Sequence, residues 1–328
     1  MAKEENPIYQ NLVELHTHLG GSSAAHFLWE LAHKQGIRLP TKDYWKFIDS
    51  ITIEEQKTYE EYLDYFHLTE LIQSSTFGVE RAVHHAISLL YRKGNITLAE
   101  IRFNPMLRNR NNRQDLDKII LGAIIGMKKA CLEYPVKAGI ILMMDRRFND
   151  YQNKIIADKA VNFKNDGVVG VDIGGPLRED FTVDEVVPAF ENARKAGLGI
   201  TFHSGEVTDT TEMWEVLEKI NPDRIGHGIR AIEDENLLKE LGKRNITLEI
   251  CPKSNLRTGV VNHWADFKKI FEKCKEYSVP YTINSDGPVF LKTHVMEEFK
   301  SLVENEVIEE KEVKELTQKA REASFIKY

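Results

Sequence analysis

The chain alternates between two hydrophobic patterns. Short segments rich in Val, Ile and Leu fall at 12–18, 96–103, 137–144, 168–174, 199–205, 224–228, 246–251 and 280–286. Nearly continuous apolar runs bounded by turn residues suit strands buried on both faces, as in parallel sheets. The longer stretches between them, such as 115–131, 184–197 and 235–244, are amphipathic at helical spacing, with Gly197 and Gly242 where helices are expected to stop. Eight strands alternating with helices predict an α/β fold, a (β/α)8 TIM barrel, formed by residues 1–328 as a single unit. The chain is long for that fold. Its surplus lies at 20–94, where 26–35, 58–73 and 79–93 read as helices. A helical insertion after the first strand is expected to lie over the barrel mouth; the alternative is a separate small domain. Residues 303–325 read as solvated amphipathic C-terminal helices packed on the barrel.

Composition narrows the classes. The 328 residues carry 44 Lys and Arg against 51 Asp and Glu, a net charge of −7, so the basic surplus of a nucleic-acid binder is absent. At 42% hydrophobic the chain can fill a large core. The run GIILMM at 139–144 is far too short to span a membrane. Three scattered cysteines, Cys131, Cys251 and Cys274, form neither a disulfide framework nor a paired-thiolate metal site. The polar start MAKEENPIYQ does not read as a signal peptide, and a cytoplasmic location is expected. The oligomeric state is not legible.

Titratable residues gather where the predicted strands end. His16 and His18, two apart on one strand, project to the same face. His203 and Glu206 follow the fifth strand, His227 the sixth, and Asp286 the eighth. In a barrel these ends converge on one mouth, where active sites lie. Each alone reads equally as a hydrogen-bonded core histidine or a turn carboxylate. Together, neutral imidazoles and a carboxylate suit one divalent metal with an open position, zinc above others. Glu206, on the loop past His203, is a natural proton carrier rather than a ligand. Lys253, Ser254 and Asn255 read as residues that shape the loop after the seventh strand, and Cys251 as a buried small hydrophobe.

The segments ELHTHLGGS (14–22), EIRFNP (100–105), VVGVDIGG (168–175), FHSGE (202–206), RIGHG (224–228), EICPKSN (249–255) and INSDGP (283–288) resemble the adenosine/AMP deaminase family of the amidohydrolase superfamily. The resemblance implies a zinc-dependent hydrolytic deaminase of a small molecule, an aminopurine nucleoside or related amino heterocycle, releasing ammonia. It matches His16, His18, His203 and Asp286 to the zinc ligands. Glu206 matches the acid that protonates a ring nitrogen. His227, with Asp286, matches the groups that orient and deprotonate the attacking water. Gly175 matches a backbone donor to the ring, and Tyr62, Leu63 and Phe66 match an apolar helix over the pocket, the alternative for that stripe being ordinary helix packing. The alternative on the same barrel is a metal-dependent amide or phosphoester hydrolase, for which Arg102 and Lys253 are the candidate phosphate-holding cations. A third reading is a non-catalytic binding protein.

Two positions depart from that pattern. Gly20 and Gly287 stand where the family carries acidic recognition groups. Both losses fall on substrate recognition, so adenosine is expected to be a poor or secondary substrate. Ser22, Ser23 and Asn284 stand nearby as compensating groups, or as turn and cap residues.

Overall fold

The computed structural model of the chain describes residues 6–109 and 115–327; within the polar start, residues 1–5 lie outside the described part. Eight strands follow one another: β1 (Leu12–His18), β2 (Ile96–Phe103), β3 (Lys137–Asp145), β4 (Val168–Gly174), β5 (Gly199–Ser204), β6 (Arg224–His227), β7 (Thr247–Ile250) and β8 (Tyr281–Ile283). Each pairs in parallel with the next, in the order β1 to β8. The expected bounds hold for β1, β2 and β4. The later strands end short of them because the chain turns into the barrel mouth there. Gly205 and Gly228 take left-handed backbone one residue beyond β5 and β6.

Closure of the barrel depends on a few contacts. A bridge joins Thr17 to Asp286. Asp286 N donates to His16 O, and His18 N donates to Asp286 O, both at 2.8 Å. Below that bridge, side chains substitute for strand pairing. Asn284 Oδ1 accepts from Leu15 N at 3.1 Å, and a Glu14 carboxylate oxygen accepts from Ser285 N at 3.2 Å.

Four helices separate β1 from β2: α1 (Ala25–Lys34), α2 (Tyr44–Ser50), α3 (Tyr59–Ile72) and α4 (Thr76–Gly94). Three were expected from the hydrophobic pattern; the short α2 carries too few turns to show a periodicity. Around the barrel follow α5 (Leu116–Glu133), α6 (Asp150–Asn162), α7 (Val187–Lys195), α8 (Thr210–Lys219), α9 (Glu235–Arg244), α10 (Pro252–Arg257), α11 (Asp266–Glu276), α12 (Val295–Glu304) and α13 (Glu312–Ala323). Local signals explain their ends. Thr58 and Glu61 form a capping box that starts α3, and Asn149 and Gln152 do the same for α6. Gly197, at φ +78°, follows the end of α7 as expected. Gly242 does not stop α9. The helix continues to Arg244, and Asn245 takes the left-handed position. Gly242 is a packing residue, since a Cβ there would lie 2.1 Å from Tyr277 O.

Alternate strand residues, among them Ile101, Leu142, Val171, Ile173, Phe202, Ile225 and Leu248, join the core shared with the helices. The opposite, inward positions are unusual for this fold, whose interior is ordinarily branched aliphatic. Here they include Glu14, Glu100, Arg102, Asp172, Arg224 and Glu249, each at most 1% exposed. Outside, α4 and α5 approach closely at Gly122 and Gly126. A Cβ on Gly126 would fall 2.2 Å from Glu80 O. Overpacking a backbone contact forces displacement. Gly126→Leu should therefore lower unfolding free energy by about 2 kcal/mol or more, which a urea titration would read. An unchanged midpoint would show that the two helices separate freely.

Candidate active site

Four imidazoles meet at the C-terminal ends of β1, β5 and β6. The His16 ring centroid lies 5.3 Å from His18, 4.6 Å from His203 and 4.8 Å from His227. The alternation of β1 explains the first pair, since residues two apart share a face. Nitrogens of His16, His18 and His203 all lie within 4.8 Å of one another. His18 Nε2 is 3.2 Å from His203 Nε2 and 3.5 Å from Asp286 Oδ1.

The outer nitrogen of two of these rings is held by a buried carboxylate. His16 Nδ1 meets Glu249 Oε2 at 2.7 Å, and His203 Nδ1 meets Asp172 at 3.0 Å. Each pairing fixes the tautomer that leaves Nε2 as a free lone pair. His16 Nε2 is buried and has no protein partner. Arg102 lies between the two carboxylates, donating from Nη1 to Asp172 and from Nη2 to Glu249, both at 2.8 Å. Burial, with the neighbouring imidazoles and Arg102, holds His16, His18 and His227 well below the ordinary histidine range, so all three are neutral. Burial would raise Asp172, but His203 and Arg102 outweigh it and keep the carboxyl ionised. An orphaned buried imidazole nitrogen, two further imidazoles beside it and a carboxylate oxygen within reach fit a divalent cation. Cys251 Sγ also lies near His16 and His227, but burial and the surrounding carboxylates keep its thiol protonated.

Asp286 is positioned through its other oxygen. Tyr62 Oη and Ser254 Oγ donate to Oδ2, at 2.9 and 2.6 Å. Asp286 and His227 both occupy left-handed backbone, at φ +59° and +61°. For non-glycine residues this conformation stores strain that the surrounding structure must hold. His227 Nε2 lies 3.5 Å from Glu206 Oε2. Asn255 Nδ2 meets His227 Nδ1 at 3.0 Å, while Asn255 Oδ1 has no partner. With Nδ2 facing the ring the amide donates to a bare Nδ1, and turned over its Oδ1 would accept from Nδ1–H, so the Asn255 orientation and the His227 tautomer are coupled. Glu206 also receives a hydroxyl from Thr258 at 3.4 Å. Burial, then the charge of Asp286, push Glu206 up to about 8, which leaves it protonated near neutrality.

Above these groups opens a pocket of about 620 Å³, open mouth included, with Glu206, Gly175 and α3 in its walls. Tyr62, Leu63 and Phe66 all line it, as do His67, Glu70, Asp145 and Arg147. Gly175 stands at φ +89° against the Asp145 carboxylate, and its carbonyl accepts from Tyr59 Oη at 3.2 Å.

The two departures at Gly20 and Gly287 have a common structural counterpart. A Cβ on Gly20 would lie 2.7 Å from the Phe66 ring, and one on Gly287 would lie 3.3 Å from Tyr62 Oη. Helix α3 thus puts aromatic residues, one helical turn apart, into the space that side chains at both positions would need. Ser22 and Asn284 are occupied elsewhere. Ser22 donates to His18 O, and Asn284 holds Leu15 N, Thr282 and Ile250 O. Ser23 is buried, with no partner for its hydroxyl. Arg102 faces the barrel interior, and Lys253 donates to Lys292 O, so neither stands ready to hold a phosphate.

Asp172, Glu249, Ser254 and Asn255 are the site residues that sequence reasoning missed. Ser254 and Asn255 lie on α10 rather than shaping a loop. A usable signal existed for Asp172 and Glu249, because each is a charged residue inside an otherwise apolar strand. For Ser254 and Asn255 the signal was only their place in the EICPKSN segment that carries the resemblance.

The adenosine deaminase family profile matches residues 11–328. An adenosine deaminase of Clostridium perfringens is 31% identical over 317 residues, covering 95% of this chain and 93% of the relative. Among solved structures, an adenine deaminase of Arthrobacter aurescens superposes with a TM-score of 0.87 at 21% identity, covering 97% of this chain and 94% of its own. An N6-mAMP deaminase of Arabidopsis gives 0.84 at 22% identity, with 98% and 95% covered. These two share the barrel. With the profile spanning nearly every residue and the site residues assembled at one mouth, the chain belongs to the adenosine deaminase family and is a hydrolytic deaminase.

Proposed function

We propose that the chain holds one zinc ion in His16, His18, His203 and Asp286 and hydrolyses the exocyclic amine of an aminopurine nucleoside or related amino heterocycle. The observation that carries this reading is the orphaned, buried His16 Nε2 amid the other imidazoles, with a protonated Glu206 on the wall above. A zinc ion supplies an ionisable water near neutral pH.

The chain's own groups do the rest. Asp286 and His227 flank the position of the attacking water and accept its proton. Glu206 gives a proton to the ring nitrogen beside the carbon under attack, so negative charge does not build up on the ring. The carbon–oxygen bond forms; the proton taken from the water passes on to the amine, the carbon–nitrogen bond breaks and ammonia leaves, while the added hydroxyl gives its proton back to Glu206 as the ring carbonyl forms. Gly175 offers its backbone N–H to the ring edge, while Leu63 and Phe66 pack on the ring and keep water out.

Substrate choice follows from α3. With Phe66 above Gly20 and Tyr62 beside Gly287, neither position presents a carboxylate to a ribose hydroxyl or a ring nitrogen. The polar recognition groups are instead His67, Glu70 and the Asp145–Arg147 pair. Adenosine is therefore a secondary substrate, and a differently substituted aminopurine or related ring is preferred.

Glu206→Gln should keep zinc within about twofold and lose about 10²- to 10⁴-fold in kcat; elemental analysis with an ammonia-release assay reads both. A variant that retained full turnover would remove Glu206 from the mechanism. Asp172→Asn and Glu249→Gln should each weaken zinc binding by about 10- to 100-fold, measured by competition with a chelator; unchanged affinity would defeat their assigned support of His203 and His16. Adenosine should be turned over about 10- to 10⁴-fold less efficiently than the preferred compound in a screen of aminopurines, pterins and nucleosides. Adenosine emerging as the best substrate would show that the two glycines did not redirect recognition.

A further inference from the structure

The end of the barrel away from the pocket carries a second polar assembly that the reaction does not use. Glu100 on β2 and Arg224 on β6 are buried inside the barrel, and Arg224 Nη2 donates to Glu100 Oε2 at 2.6 Å. Beyond α13 the chain passes beneath them. Ser324 Oγ and Phe325 N both donate to Glu100 Oε1 at 2.6 Å, and Arg224 Nη1 donates to Ala323 O at 2.9 Å. The Phe325 ring covers the Arg224 guanidinium, with 3.6 Å between its centroid and Cζ. Glycines make that approach possible. A Cβ on Gly199 or Gly170 would fall 2.1 or 2.8 Å from the Phe325 ring.

Arg224 does not end there. Its Nε lies 2.7 Å from Glu249 Oε1, and Glu249 Oε2 lies 2.7 Å from His16 Nδ1. Two side chains thus separate the Phe325 ring from an imidazole at the pocket. Beside the segment lies a cavity of about 1300 Å³, open solvent included, lined by Arg194, Asp223, Arg224, Arg244, Ser324 and Phe325. Arg224 and Phe325 both border that space, and with the Phe325 ring over its guanidinium Arg224 is only 1% exposed. Water reaching Arg224 would raise the local dielectric and weaken its hold on Glu249.

We propose that Ala323–Phe325 is a positioning element for the metal centre. By covering Arg224 it keeps that guanidinium charge against Glu249 Oε1, which also accepts from Thr201 Oγ1, and Glu249 in turn fixes the orientation and basicity of His16. The proposal rests on the reading of His16 as a metal ligand.

The test compares zinc release from the full-length, zinc-loaded wild type and from F325A, F325Y and S324A, with a chromophoric chelator as acceptor. Visible spectra of the cobalt(II)-substituted proteins report ligand geometry. F325A should release zinc about tenfold faster, in the range of outer-shell substitutions at metal-bound histidines, with a displaced cobalt band. F325Y keeps a ring over the guanidinium and should behave as wild type. S324A removes one of the two hydrogen bonds on Glu100 Oε1 and should release zinc about threefold faster, which carries the test should F325A not fold. Wild-type release rates and an unchanged cobalt band in F325A and S324A, whatever their melting temperatures, would overturn the proposal and leave the segment a support of the fold alone. A wild type that binds no zinc would instead overturn the reading of the metal site.

Discussion

Arg102 is the side chain on which the pocket depends. It is fully buried, it spans Asp172 on β4 and Glu249 on β7, and each of those carboxylates holds one imidazole of the centre. Removing one partner from a buried ion pair costs about 3–5 kcal/mol, because the remaining charge is left uncompensated. Replacing the whole set with aliphatic residues would be less costly for folding, which argues that the charges are kept for what they orient. The desolvation of three ions inside the barrel is offset by their mutual bonds and by Thr201, which donates to Glu249 at 3.1 Å. The result is a set of imidazoles whose free nitrogens are aimed by a rigid interior rather than by mobile loops.

The same economy appears where the barrel closes. Between β8 and β1 there is one bridge, and it is made by the backbone of Asp286. That residue's left-handed conformation lets its N–H and C=O bond to β1 while its carboxylate faces the imidazoles. Closure of the sheet and placement of the carboxylate are one structural event. Strain at such a position persists only where the surroundings over-determine it, and Tyr62 and Ser254 supply that constraint from two other elements.

Helix α3 connects the insertion to the chemistry. Its aromatic face reaches the floor of the mouth because Gly20 and Gly287 present no side chains there. Tyr62 then does two things, lining the pocket and donating to Asp286. Specificity and metal-site geometry are therefore coupled through one residue. A side chain at Gly20 must displace the Phe66 ring, and one at Gly287 must press on the Tyr62 hydroxyl that steadies Asp286.

The local patterns of the chain already determined the order of strands and helices, the class of barrel, and the end of the barrel at which His16, His18, His203, Glu206, His227 and Asp286 meet. That much is legible because strand burial leaves continuous apolar runs, and because the chemistry of this fold lies at strand C-termini. The true role of Gly242 was not legible, since a glycine that admits a neighbouring carbonyl looks the same as one that ends a helix. Nor were Ser254 and Asn255, whose partners lie 32 and 28 residues away. The charged interior was visible only as isolated exceptions, Glu100, Arg102, Asp172, Arg224 and Glu249, each within an apolar strand. That Phe66 and Tyr62 cover the two glycines was decided by tertiary structure alone. A missing side chain has no sequence signature for what fills its place; only the packing of α3 across more than two hundred residues of chain brings Tyr62 to Gly287.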